Sequence, residues 1–183
     1  VGPNGAGKST IFRILTGQES ADKGDIKLRK NIRLGWLRQN IPDELKHLSL
    51  LDFTCTARPD LDAIQEQIIK LEAQFSTSDD QEKLLNTIGN LQHDFEAAGG
   101  YLIETHARKA LHGLGFPDED LTRPIKEFSG GWQMRAELVR VVISDPDLLL
   151  LDEPTNYLDV PAVEWLRDFL ITFQGTLLLI SHD

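Results

Sequence analysis

Near the start of the chain, Gly2-Pro3-Asn4-Gly5-Ala6-Gly7-Lys8-Ser9-Thr10 has the residue types and spacing of a polyphosphate cradle, G-x-x-x-x-G-K-S. Gly2, Gly5 and Gly7 permit backbone geometries that turn successive N–H groups inward around an anion. Lys8 adds a positive charge for terminal phosphates, and the Ser9 hydroxyl is a hard oxygen ligand suited to Mg²⁺. A second acidic element lies far along the chain, where Leu148-Leu149-Leu150-Leu151 runs into Asp152-Glu153. A carboxylate at the end of a buried strand holds Mg²⁺ through water, and its neighbour can polarise an attacking water molecule. Chemistry of that kind needs mainly positioning and charge neutralisation, so few side chains are required.

The elements that must position these groups are legible in outline. The spacing predicts a helix over 8–15, stopped by Gly17, with its positive end toward the phosphates. Residues 24–28 and 32–37 read as strands joined by a turn, the second leading to Arg38-Gln39-Asn40 and closed by Pro42. Residues 43–58 read as loop with a short helix. Ile64, Ile68, Leu71 and Phe75, then Leu84, Ile88, Leu91 and Phe95, repeat one apolar spacing on either side of a polar loop, Ser76 to Asp80. Two such stripes predict an antiparallel helical hairpin, with Ser78 as cap of the second helix and Gln81 reaching back to it. Its outer faces are acidic, which favours a solvated projection over a hairpin laid flat on the core. Helices over 101–114, from Ser129 to about 143, and over 160–173 follow, with strands at 148–152 and 176–180. Strands alternating with helices predict an α/β fold with a mostly parallel sheet.

Composition excludes several classes. At 183 residues, 40% hydrophobic and 26% charged, the chain is ordinary globular material with enough length for a core. A single cysteine, Cys55, rules out an internal disulfide framework and fits a reducing compartment. The apolar runs at 148–151 and 177–180 are too short to span a bilayer, and no signal peptide is visible. Net charge is −10, which argues against a generally nucleic-acid-binding surface. Most of that charge sits in residues 60–96, which hold nine acidic and two basic residues. His47, His93, His106 and His112 lack ligand-like spacing, and Cys55, Trp36, Trp132 and Trp165 read as packing residues. The chain opens at Val1 with no strand before the phosphate loop, and it reads as part of a longer protein.

Taken together, GPNGAGKST, Gln39 after a strand, Ser129-Gly130-Gly131, the run LLLLDEPTNYLD and Ser181-His182-Asp183 resemble, in order, the motifs of an ABC-type ATPase. Those motifs are the Walker A loop, Q-loop, signature, Walker B with D-loop, and switch histidine. The resemblance covers the whole chain except the helical hairpin. It implies a P-loop NTPase fold in which Gly2, Asn4, Gly5, Ala6, Gly7, Lys8, Ser9 and Thr10 hold the phosphates of ATP. Ser9, Gln39 and Asp152 would hold Mg²⁺, Glu153 would act as catalytic carboxylate, Gln39 would contact metal or water, and His182 the γ-phosphate. In that family two such domains sandwich two ATP molecules, so Ser129, Gly130, Gly131 and Asp159 would act on the partner domain's nucleotide. An open helix N-terminus at Ser129 supplies the physics for an anion there.

Within the family, three features resemble the ABC-F branch, whose members are cytoplasmic, ribosome-associated proteins with two ATPase domains. They are the signature Ser129-Gly130-Gly131-Trp132-Gln133-Met134-Arg135, the sequence EPTNYLD from Glu153 to Asp159, and a hairpin inserted between Q-loop and signature. Trp165-Leu166 and Gln174-Gly175-Thr176 are similar to the first of the two domains. The resemblance divides the chain into ATPase core at 1–40, inserted arm at 41–100, helical subdomain with signature at 101–145 and returning core at 146–183. The expected partners are a second ABC ATPase domain and the ribosome, with no membrane segment in this chain. The hairpin tip carries two aspartates and no basic residue, which argues against direct contact with tRNA or rRNA. The competing readings are the energising domain of a transporter and, lower, a chromosome-associated ATPase, whose coiled coils are far longer. Since each composite site needs two domains, residues 1–183 alone are expected to bind nucleotide weakly and hydrolyse essentially none.

Overall fold

The computed structural model describes residues 7–38, 40–75 and 80–181. Among them, three parallel strands form the sheet, in the order β1 (Leu34–Trp36), β2 (Leu148–Asp152), β3 (Thr176–Ile180). β2 is central, and Leu148 to Leu151 are all buried because both faces of the strand are covered. Leu148 and Leu150 pack with Phe12 of α1 (Lys8–Leu15), whereas Leu149 and Leu151 join the larger core on the opposite face. That larger core is built from α2 (Leu50–Cys55), α5 (Ile103–Gly113), α6 (Gly130–Ile143) and α7 (Val160–Thr172). Helices on both faces of a parallel sheet make the expected α/β architecture.

Asp147 ties the beginnings of all three strands together. Its carboxylate accepts from Arg33 N–H at 2.9 Å, its own N–H donates to the Arg33 carbonyl at 2.8 Å, and its carbonyl accepts from Thr176 N–H at 2.8 Å. The side chain also meets Arg29 at 3.2 Å. In the larger core, Glu137 is fully buried and receives two 2.7 Å hydrogen bonds from Arg140, whose guanidinium lies 5.6 Å from the Phe53 ring centre.

The expected strand at 24–28 is not formed. Ile26 and Leu28 are exposed, and the segment through Arg33 is turn and irregular backbone before a strand of only three residues. Alternating apolar residues make a strand only where a neighbouring backbone accepts their hydrogen bonds.

The hairpin forms as α3 (Pro59–Gln74) and α4 (Gln81–Ala97). Among the described residues from 62 to 97, only Ile64, Ile68, Leu71, Phe75, Leu84, Ile88, Leu91 and Phe95 escape full exposure. A hairpin lying on the core would bury a second face, so this one packs on itself and stands in solvent for roughly 25 Å at 1.5 Å per residue. At its base, Arg58 is buried, pairs with Asp60 at 2.7 Å and donates to the Ala98 carbonyl at 3.4 Å, closing the foot of the loop. Asp80, rather than Ser78, caps α4 by accepting from Lys83 N–H at 3.2 Å. Ser78 and the rest of 76–79 lie outside the described residues, while Gln81 donates to the Phe75 carbonyl. α7 packs through an aromatic ladder, Trp165 stacked on Phe169 and Phe169 tilted on Phe173. The ladder reaches α5 at Gly113, where the absent side chain leaves room for the Trp165 indole.

Candidate functional site

The two chemically suggestive stretches meet in space. Gly7 takes a left-handed conformation, φ 80°, which lets the chain turn directly into α1. The first turn of α1 then presents Ser9, whose Oγ donates to Asp152 Oδ2 at 2.7 Å. A helix N-terminus, a lysine and a hydroxyl–carboxylate pair are thus gathered at the carboxyl end of the central strand, the position where open parallel sheets bind ligands. A cleft of about 490 Å³ opens there, lined by Ser9, Phe12, Arg13, Trp36, Arg38 and Asp152 among others. Arg38 and Asn40 bring the segment after β1 to the same cleft.

Glu153 follows in a left-handed conformation, φ 48° and ψ 51°, a strained choice for a residue with a long side chain. Its N–H donates to the Ile180 carbonyl at 2.8 Å, so the ends of β2 and β3 are locked side by side. This bond fixes where the Glu153 side chain leaves the backbone. The oxygen-only pair of Ser9 and Asp152 fits Mg²⁺, which prefers hard oxygen ligands and keeps several waters. Among the described residues, no cluster of three or more His, Cys, Asp or Glu offers an alternative metal site.

The second group of expected residues collects elsewhere. Ser129 is the N-cap of α6 with an extended backbone, its side chain makes no capping bond, and Ser129 and Gly130 are exposed. The N-terminus of α6 is therefore open, and none of Ser129, Gly130 and Gly131 lines the cleft at Ser9. Asp159 caps α7 by accepting from Ala162 N–H at 3.1 Å and also pairs with Arg135 at 3.2 Å. The capping N–H, then the Arg135 hydrogen bond and charge, hold its carboxyl below the ordinary range. Gly2, Asn4, Gly5, Ala6, Gln39 and His182 lie outside the described residues. Lys8 and Thr10 sit in the first turn of α1.

Cys55 is half-buried in α2. Burial, then the charges of Glu104, Asp52 and Asp62, push its thiol up to about 11. Of the histidines, His112 has a structural role, with Nδ1 at 3.0 Å from the Phe116 carbonyl. In the sequence Arg135 stands out only as part of the signature that resembles the ABC-F branch. Its contacts to a loop more than twenty positions away leave no local pattern by which to find them.

Comparison with known proteins bears on the family and the fold. A family model described as ABC transporter matches residues 1–156. The chain is 38% identical over 183 residues to the probable ATP-binding protein YheS of Haemophilus influenzae, covering all of this chain and 27% of that protein. It is 38% identical over 188 residues to ABC transporter F family member 5 of Arabidopsis thaliana, again covering all of this chain and 27% of the relative. The chain thus spans about a quarter of the length of these curated relatives. Its fold is similar to that of an archaeal ribosome recycling factor solved in complex with a ribosomal stalk protein, with TM-score 0.59, 24% identity and coverage of 100% of this chain and 28% of that one. It is also similar to a dimeric ATP-binding cassette in a post-hydrolysis state with ADP and Pi, with TM-score 0.60, 18% identity and coverage of 99% and 72%. No helix among the described residues is long and apolar enough to cross a membrane.

Proposed function

Because this chain belongs to the ABC family of ATPases, we propose that it is one ATPase domain, the first of two, of an ABC-F protein that uses ATP to act on the ribosome in the cytoplasm. The observation that carries the ATPase part is the 2.7 Å approach of Ser9 to Asp152 at the N-terminus of α1, with Glu153 next in line. In this reading the loop from Gly2 to Gly7 and the first N–H groups of α1 receive the phosphates of ATP, and Lys8 adds charge against them. Ser9, Asp152 and Gln39 hold Mg²⁺, which when bound neutralises phosphate charge. Glu153 accepts a proton from the water that attacks the γ-phosphate, and His182 contacts that phosphate. Ser129, Gly130 and Gly131 at the open start of α6, with Asp159, face the nucleotide of the partner domain. On this reading residues 1–40 and 146–183 belong to the core, 101–145 to the helical subdomain and 41–100 to the insertion, of which α2 joins the larger core and only α3 and α4 make the projecting arm.

The ribosome part is supported by the F-family relatives, by the likeness to a ribosome recycling factor and by a hairpin that stands free in solvent. The hairpin's acidic surface makes protein its expected contact, with RNA contacts elsewhere in the longer protein. The test uses the complete protein with Glu153→Gln and the matching change in its second ATPase domain. ATP should then bind and close the domains without turnover, and the protein should co-sediment with ribosomes only when ATP is present. Recovery in a membrane complex, with no ribosome association, would assign the domain to transport instead.

A further inference from the structure

We propose that a cavity at the foot of the hairpin is a second binding site, fitted to an aromatic ring that carries an acidic group. The cavity measures about 480 Å³ and shares no lining residue with the cleft at Ser9. That volume lies within the range of small-molecule pockets, which begins at about 300 Å³. Part of the wall comes from the arm, through Arg58, Leu61 and residues 97–99 at the close of α4. Another part is the aromatic ladder of α7, Trp165, Phe169 and Phe173. Ile103 of α5 and Val142 of α6 add aliphatic surface. Three aromatic side chains in a row favour a ring over an alkyl chain, because rings gain from stacked and edge-to-face contacts as well as from burial.

The charged lining selects the sign of the ligand. Acidic residues outnumber basic ones by ten in the whole chain, yet Arg58, His106 and Lys109 line this cavity against one carboxylate, Asp145. Asp145 is already engaged by Arg33 at 2.9 Å. Arg58 is held by Asp60 and the Ala98 carbonyl, so it contributes charge while fixing the foot of the arm. Lys109 differs. Its side chain makes no hydrogen bond or ion pair with any described residue, and neither does that of His106, one turn earlier on the same face of α5. Their neighbour Arg108 is paired with Glu104 at 2.8 Å, so the α5 cation that lines the cavity is the one left open. An aromatic wall also attracts cations, but the cationic lining rejects them. The ring of the ligand packs on Trp165 and Phe169, and its carboxylate meets Lys109, with an imidazole N–H of His106 as a second donor. Because arm and α7 both line the cavity, an occupant ties the foot of the arm to the rest of the domain.

The experiment uses the full-length protein, with 2-naphthoate as probe and 2-naphthamide as its neutral counterpart. Calorimetric titration should give a naphthoate Kd below about 300 μM, with the amide at least about fivefold weaker. Lys109 is exposed, so Lys109→Gln leaves the fold intact. It should weaken naphthoate at least about fivefold and leave the amide within about twofold. Trp165→Leu should weaken both compounds at least about fivefold, and Lys109→Gln decides alone if that variant does not fold. The second readout is amide hydrogen exchange at Ala98 and Gly99, whose N–H groups donate to the Asp94 and Glu96 carbonyls. Saturation with naphthoate should slow it at least about threefold with β2 unchanged. Equal affinity for acid and amide overturns the proposal, as does naphthoate binding that neither substitution alters. No binding up to about 2 mM also overturns it, and would mean that another part of the longer protein fills the cavity. Neither readout involves ATP turnover, so the result is independent of the ATPase reading.

Discussion

At the scale of single residues, the meeting of Ser9 with Asp152 was legible because it depends on residue type at fixed spacing. Ser9 and Asp152 are 143 positions apart, yet one follows a glycine-rich turn and the other ends a run of four leucines, and each context implies the same end of a parallel sheet. What could not be read is any role set by a partner distant in sequence, as with Arg135, Arg58 and Glu137. For Glu137, Glu137→Gln should destabilise the protein by about 2–5 kcal/mol, because Arg140 would keep a partly buried charge without its counter-charge. Urea midpoints of the full chain and the variant measure this, and a difference under about 0.5 kcal/mol would show the pair to be dispensable. Cys55 yields a second residue-level expectation. With its thiol pushed up to about 11, it should react with a thiol reagent at pH 8 about a hundredfold more slowly than free cysteine, and the rate should climb tenfold per pH unit up to that value.

Among elements, the helices came through and one strand did not. The hairpin's eight seam positions were fixed by periodicity, which demands nothing beyond the two helices themselves. A strand demands a neighbour, and residues 24–28 have none among the described residues. The packing of α7 on α5 gives a sharp test. In a helix, glycine to alanine is ordinarily favourable by roughly 0.5–1 kcal/mol, yet a Cβ at Gly113 would overlap the Trp165 indole. Gly113→Ala is expected to cost about 1–3 kcal/mol instead, and a double-mutant cycle with Trp165→Ala should recover at least about 1 kcal/mol as coupling. At the strand starts, Asp147 has its carboxyl held below the ordinary 3.8, first by Arg33 N–H and then by the charges of Arg33 and Arg29. A depressed native value means its contribution is complete above the unfolded value and is lost as pH falls through the native one. The destabilisation caused by Asp147→Asn should therefore be constant from about pH 7 to 5 and shrink below about pH 4. A gap that stays constant to pH 2 would show that the charge of Asp147 plays no part.

For the whole molecule, the feature that matters is how unevenly charge and burial are distributed. The compact part gathers its apolar residues on both faces of a small sheet, while the hairpin carries nine acidic and two basic residues over 60–96. An acidic rod attached at one foot should be repelled by polyanions at low salt. Replacing six of its exposed carboxylates by amides should leave thermal stability of the full protein nearly unchanged while altering the salt dependence of ribosome co-sedimentation. No change in that salt dependence would remove the hairpin from the contact. Hairpin existence and acidity could be read from sequence, and it was the acidic outer faces that pointed to projection from the core, since an apolar stripe by itself looks the same whether it meets a twin or a sheet.

The left-handed backbone at Glu153 sets stability and activity in opposition. Asparagine tolerates φ 48° more readily than glutamate does, so Glu153→Asn should raise the melting temperature of the full protein even as it abolishes turnover. Selection for a sturdier fold alone would discard this glutamate. On the proposed ATPase reading, its presence in a conformation that suits another residue better is explained by what it does rather than by how it packs.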